Sequence, residues 1–360
     1  MSKRHQPFDV LRGLVIVLMA LDHTRGFIQP EGANPTDWAT TTIPFYLVRW
    51  VTHLCAPSFV FLMGVAAFLR HQKKSSESSS FLLKRGLWLI FLEISWVSFC
   101  WTWDPTQTYL GVLWALGGSM ILLSALIRMP TQWMTAIGLG TIIGLECLAI
   151  QPSNGFVRIL FQPGSMEVFG HRIGSAYALL PWFGVAALGW GLAPWLIRAS
   201  SRALGAVGAI LLLLFTSYRW LQWTDPNPWE SQASWAMTAA DFLHPSKYPP
   251  SICFLLLTLG IAVLVLALSS RNTGPITQKL SLFGRVPMFF YLLHLPLAHG
   301  LANAWAWLMY GLPRTPSTEP VSPMVIVIAC TLVVAILWPL CVRWDGFKKK
   351  RRDLWWTHYI

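Results

Sequence analysis

Charge is what this chain has least of. Only 12% of its 360 residues are Asp, Glu, Lys or Arg, about half the share of a soluble domain. No segment is both polar and long enough to stand as a separate soluble domain. The six cysteines, Cys55, Cys100, Cys147, Cys253, Cys330 and Cys341, form no CxxC and lie within or at the ends of apolar segments. They imply neither a disulfide framework nor a zinc site and read as packing residues. A Gly-rich phosphate loop, a Ser-His-Asp pattern and a cluster with metal-ligand spacing are all missing, so no metal is expected. Nothing in the pattern points to haem. No internal repeat is evident, so an inverted-repeat transporter is not indicated. The N-terminal apolar run follows Lys3 and Arg4 as in a signal peptide, but it is long, charged and followed by no small-residue cleavage site. It is expected to stay as the first transmembrane helix.

What the chain has instead is apolar length. Hydrophobic residues make up 54% and the mean hydropathy is +0.51. Stretches of about 20 apolar residues recur throughout, the mark of a polytopic all-α membrane protein. Part of the 21 tryptophans is the aromatic belt of the membrane interface. About ten spans are expected, over 8–28, 43–69, 81–101, 108–127, 132–150, 175–197, 203–221, 251–269, 283–309 and 321–343. They form one domain, 1–360, with a helix bundle over 8–345 and a basic, aromatic tail over 346–360. Loops on alternate sides hold 19 of the 27 Lys and Arg residues, from Lys3 and Arg4 through Arg70, Lys73 and Lys74 to the tail with Lys348–Arg352. The positive-inside rule makes that side cytoplasmic and puts both termini inside, which an even number of spans requires.

The net charge of +12 is thus spent on orientation, and nucleic acid is not an expected partner. Membrane lipids are: KKKRRDLWW suits anionic headgroups. KKSSESSS at Lys73–Ser80 reads as a flexible loop. Three opposite connections are longer, 29–42, 151–174 and 222–250. The last carries Trp223, Trp229, Trp235, Asp225, Glu230, Asp241 and His244, with a short interfacial helix expected over 230–243. It serves either function or as an aromatic cap on the headgroups.

The chemistry must come from the few ionisable residues at membrane depth. FDVLRGLVIVLMALDHTRGFI holds five: Asp9, Arg12, Asp22, His23 and Arg25. Each such charge costs from about 2.5 kcal/mol upward in lipid unless it faces protein or a polar cavity. Asp9 with Arg12, and Asp22 with Arg25, are i,i+3 pairs that neutralise each other at the two ends. Arg12 and His23 lie eleven steps apart, within about 20° of one face and roughly 16 Å apart along the axis. Arginine suits phosphate through its planar fork, and histidine suits proton transfer near neutrality. Asp22 precedes His23 but points about 100° away. His53 sits beside Pro57, which cannot donate to the carbonyl four residues back. It reads as either a site residue or an interior histidine. His294 and His299 are five apart, about 140° round a helix, so they are not expected to share a face. His294 lies between expected kinks at Pro287 and Pro296. Glu93 and Glu146, inside helices, read as internal ion-pair partners.

The segments FDVLRGLVIVLMALDHTR, HLCAPSFVFLMGVAAFL, GVLWALGGSMILLSAL, YALLPWFGVAALGWGL and GRVPMFFYLLHLPLAH resemble, in that order, the bacterial membrane proteins that share a domain with heparan-α-glucosaminide N-acetyltransferase. The resemblance runs from about Pro7 to Asp345. The Arg12-to-His23 spacing is also similar to that of acyltransferase-3 type membrane O-acyltransferases. The resemblance implies a transmembrane acyltransferase of the bacterial cytoplasmic (inner) membrane. It would use cytoplasmic acetyl-CoA or another acyl-CoA and a hydroxyl or amine of an extracytoplasmic glycan or glycolipid. His23 and Asp22 would be catalytic, with His23 as general base and transfer either direct or through an acyl-histidine. Arg12, His53 and His294 would bind the donor, and Asp37, Trp38 and His299 the acceptor. Homo-oligomers are compatible with this scheme. The eukaryotic relative's proposed active histidine lies in the loop after the first helix. Here that loop, QPEGANPTDWATTT, has only Glu31 and Asp37 as ionisable residues. Either His23 carries the chemistry or the chemistry has diverged. A transporter or flippase using the same polar cavity, and a lipid- or partner-binding module, are the competing classes.

Overall fold

The computed structural model describes residues 6–30, 32–222, 225–272, 274–316, 321–351 and 353–360. Lys3, Arg4, Glu31, Trp223 and Arg352, used above in reading the loops, lie outside the described residues. The chain is dominated by helices, and each of the ten expected runs contains a helix. α1 spans Gln6–Ile28, α2 Ile43–Trp50, α3 Cys55–Lys73, α4 Ser75–Leu92, α5 Ser98–Thr102, α6 Val112–Leu126 and α7 Thr131–Leu148. A short α8, Gly155–Phe161, precedes α9, Leu179–Arg198, α10, Ser201–Leu221, and α11, Trp235–Phe242. α12 is Ile252–Ser269, α13 Pro275–Arg285, α14 Pro287–Tyr310 and α15 Pro323–Lys350.

Several expected spans are broken, each for a local reason. The run over 43–69 is split by a 3-10 turn at Val51–Leu54, where Pro57 withholds an N–H from the carbonyl of residue 53. The run over 81–101 passes through a π segment at Glu93–Val97. The run over 283–309 is two helices bent by 86°, with Pro287 opening α14 at a position where its missing N–H costs nothing. The run over 108–127 begins with a strand, not a helix: Gln107–Leu110 is β1, and α6 starts after Gly111. The tail from 346 is helical as far as Lys350. The interfacial helix expected over 230–243 is α11.

A small sheet was not expected. β2 (Gly164–Val168) and β3 (His171–Ser175) pair antiparallel, and β1 pairs parallel to β3. Phe169 and Gly170, both at positive φ, close the β2–β3 hairpin as a two-residue turn whose twist suits the strands.

Five helices among the described residues are long and apolar enough to cross a membrane, or six if the bent α13–α14 pair is one span. The other expected spans, α1, α4, α6 and α7, fall short in length, charge or hydropathy. α15 exposes Met324, Val327, Ile328, Leu332 and Ile336, and α4 exposes Leu83, Leu87 and Phe91. Apolar faces of this length belong against lipid, not water. The molecule is an integral membrane protein.

The chain forms two compact units. One comprises Ala56–Pro228 and Pro245–Arg271; the other comprises Gln6–Cys55, Trp229–His244 and Asn272–Ile360. The first holds the sheet, α3 from Ala56 onward, α4–α10 and α12. The second holds α1, α2, α11 and α13–α15, and it contains every histidine assigned a role above.

Within the first unit, Glu93 departs from the ion-pair expectation. Glu93, fully buried, accepts from the Trp114 N–H at 2.9 Å. Glu146 accepts from the Ile252 N–H. Each carboxylate thus sits on a helix N-terminus, of α6 and of α12, where backbone donors need a partner and the dipole favours an anion.

Candidate active site

The site is built on α1. At its first turns Gly13 faces α13 so closely that a Cβ there would lie 1.8 Å from the Leu280 carbonyl oxygen. Gly284 meets Asp9 with the same spacing. This contact lets the Arg12 guanidinium reach the Gly284 carbonyl at 3.0 Å while pairing with Asp9 at 3.1 Å. Arg285 nearby pairs with Asp345 at 2.8 Å, and Lys349 joins the same carboxylate at 2.6 Å. Three cations thus share two carboxylates at this end of α1.

At the other end, α1 packs along α14. His23 Nδ1 lies 2.7 Å from His294 Nε2. The two rings meet edge to edge and are nearly coplanar, with centroids 5.0 Å apart and 17° between their planes. His294 is fully buried, with Phe290 stacked on it at 5.3 Å and the Tyr291 ring at 5.4 Å. Its Nδ1 donates to the Phe290 carbonyl at 3.1 Å. His23 is only partly buried.

Asp22 turns away from His23. It accepts from Arg25 at 3.1 Å and from Arg49 of α2 at 2.6 Å. Two guanidiniums on one carboxylate leave a surplus positive charge one residue from the imidazole. Arg49 belongs to no motif in the sequence, although an arginine inside an apolar run is a signal in itself.

His53 is buried, with its ring 5.7 Å from that of His244. His244 is also flanked edge-on by Trp38 and Tyr46, each at 6.1 Å. The Tyr46 hydroxyl and the Trp50 indole donate to the carbonyls of Ala240 and Leu243, tying α2 to α11. Trp38 therefore belongs to an aromatic cluster with two histidines, of which His244 carried no assigned role. Asp37 closes its own turn, accepting from the Ala39 N–H and the Thr40 hydroxyl. His299 stacks on Phe27 at 4.5 Å. His294 and His299 both meet α1, at positions four residues apart. A 140° separation did not prevent this, because each ring reaches a different turn of the neighbouring helix.

The structure thus gathers His23, His294, Asp22 and His299 around the C-terminal half of α1, and His53 and Trp38 with His244. Arg12 is held apart at the other end, and Asp37 is engaged locally. A partly buried imidazole hydrogen-bonded to a fully buried one is a suitable group to take and return a proton. The model of the heparan-alpha-glucosaminide N-acetyltransferase catalytic family matches residues 4–222, more than half of the chain and including α1 with Arg12 and His23. No curated protein matches the chain.

Proposed function

The chain belongs to the heparan-alpha-glucosaminide N-acetyltransferase catalytic family, and from that premise we propose that it moves an acyl group, acetyl in the first instance, from cytoplasmic acyl-CoA to a hydroxyl or amine of an extracytoplasmic glycan or glycolipid. The observation that carries the reading is the pairing of a partly buried His23 with a fully buried His294. This proposal includes ten spans with both termini inside a bacterial cytoplasmic membrane, which the asymmetry of the basic loops supports.

In this reading Arg12, with Arg285 and Lys349, meets the phosphates of the donor on the cytoplasmic side. The thioester reaches the His23 end of α1, roughly 16 Å further on. The acceptor X–H attacks the thioester carbonyl while His23 takes its proton. A C–X bond forms, the C–S bond breaks, and the proton on His23 passes to the departing thiolate to give free CoA. The charge on Arg25 and Arg49, half neutralised by Asp22, favours the oxyanion that forms on the carbonyl. Trp38 and His299 are the acceptor-side candidates, and His53, against His244, stays with the donor.

The test is release of CoA from acetyl-CoA by purified protein in nanodiscs, with and without glucosamine as acceptor. His23→Ala should lower the rate by 10²-fold or more, on the order of general-base loss. Arg12→Gln should raise KM for acetyl-CoA with little change in kcat. Flux of solute across vesicles without any use of acetyl-CoA would instead favour a transporter.

A further inference from the structure

Resting on the acyl-transfer reading, we infer that His294 is a positioning residue that fixes the tautomer of His23, making Nε2 of His23 the proton-accepting atom. The argument follows two hydrogen bonds in series. A backbone carbonyl can only accept, so the 3.1 Å contact to Phe290 requires the proton on His294 Nδ1. His294 is fully buried, with Phe290 stacked on it. A second proton would make it a desolvated cation, which is costly. Neutral His294 therefore presents a lone pair at Nε2. The 2.7 Å contact then needs a donor, and only a proton on His23 Nδ1 supplies one. In the neutral ring this leaves His23 Nε2 with its lone pair, on the edge not held by His294.

The same bond survives the reaction. When Nε2 of His23 takes a proton, Nδ1–H still donates to His294, and no proton has to move along the chain. His294 does for His23 what a triad carboxylate does for its histidine, selecting tautomer and orientation, but as a neutral acceptor. Asp22 next in sequence is engaged by Arg25 and Arg49. The stacked Phe290 ring fixes the plane of His294, and α14 carries the whole partner set at positions 290, 291 and 294.

Ring nitrogen chemical shifts test this directly. Protein with ¹⁵N-labelled histidine in nanodiscs is compared with His23→Gln to assign the His23 signals. The expected result is a protonated Nδ1 and an unprotonated Nε2. A His23 protonated at Nε2 in the neutral ring overturns the inference. Side-chain replacement gives a second readout. His294→Gln keeps an acceptor, and His294→Leu has neither donor nor acceptor. For CoA release from acetyl-CoA, Leu should cost about 10²-fold in kcat with KM within about 2-fold, and Gln should recover at least tenfold of that. A Leu variant with unchanged kcat overturns the inference as well. If the wild-type shifts are as expected but acetyl-CoA neither binds nor turns over, the tautomer assignment stands and the acyl-transfer reading falls.

Discussion

Arg219 and Asp225 are the most deeply buried ion pair among the described residues, with both side chains at 0% exposure and 2.8 Å between them. The guanidinium also holds the Asn227 carbonyl, so the pair pins the segment that follows α10. Removing one partner strands a charge, at a cost of about 3–5 kcal/mol. Arg219→Met should therefore lower the thermal midpoint in detergent sharply, and Arg219→Met with Asp225→Leu should recover most of the loss. Additive losses in the double variant would show that the pair itself is not the stabilising unit. The triad around Asp22 is more open, with side-chain exposures of 13–18%. Its loss should be milder, about 1–2 kcal/mol. Asp22→Asn should leave two guanidiniums repelling each other, so that adding Arg49→Met restores stability rather than lowering it further. At this scale the sequence was informative about residue type and silent about partners. His23 stood out because an imidazole in an apolar run is costly. Its pairing with His294, 271 positions away, depends on how α1 and α14 pack, which no local pattern encodes.

The helices meet through glycines. Gly13 and Gly284 bring α1 onto α13, and Gly86 and Gly117 bring α4 onto α6, each facing a carbonyl oxygen of the other helix. In lipid there is no hydrophobic drive between helices, so close backbone approach has to supply the contact. A methyl at Gly13 would sit 1.8 Å from the Leu280 oxygen, and neither backbone can give way without separating the helices. Gly13→Ala and Gly284→Ala should each cost about 3 kcal/mol or more and lower the yield of monodisperse protein on size exclusion. Gly140→Ala is the control. It lies in α7 with nothing within 4 Å of its Cβ, so the substitution should be neutral or stabilise by up to about 1 kcal/mol. Equal damage at all three sites would refute the packing argument. The helices themselves were legible because apolar runs of their length leave few alternatives. The breaks were less so. Proline marked those at residues 51–54 and 286, but the strands of the small sheet are four or five residues each, too short for alternation to register. Tyr109 and Leu110 therefore read as the start of α6.

At the scale of the molecule, the distribution of charge makes one demand that sequence and mechanism share. If 19 of the 27 basic residues face the cytoplasm, Ser76 at the start of α4 is inside, and the connections holding Ser153 and Ser231 are outside. The Arg12 end of α1 then faces the cytoplasmic pool of acyl-CoA, and the His23 end faces the acceptor. Five of the six cysteines are buried and only Cys147 is exposed, so a Cys147→Ser background should be nearly silent to a membrane-impermeant maleimide. In that background Ser153→Cys and Ser231→Cys should label on intact cells, whereas Ser76→Cys should label only after the membrane is opened. All three positions are exposed, so failure to label reports sidedness and not burial. Labelling of Ser76→Cys on intact cells would invert the molecule. It would place His23 on the side where acyl-CoA is made and Arg12 on the side where it is absent, and the proposed division of labour along α1 would then have no donor to bind.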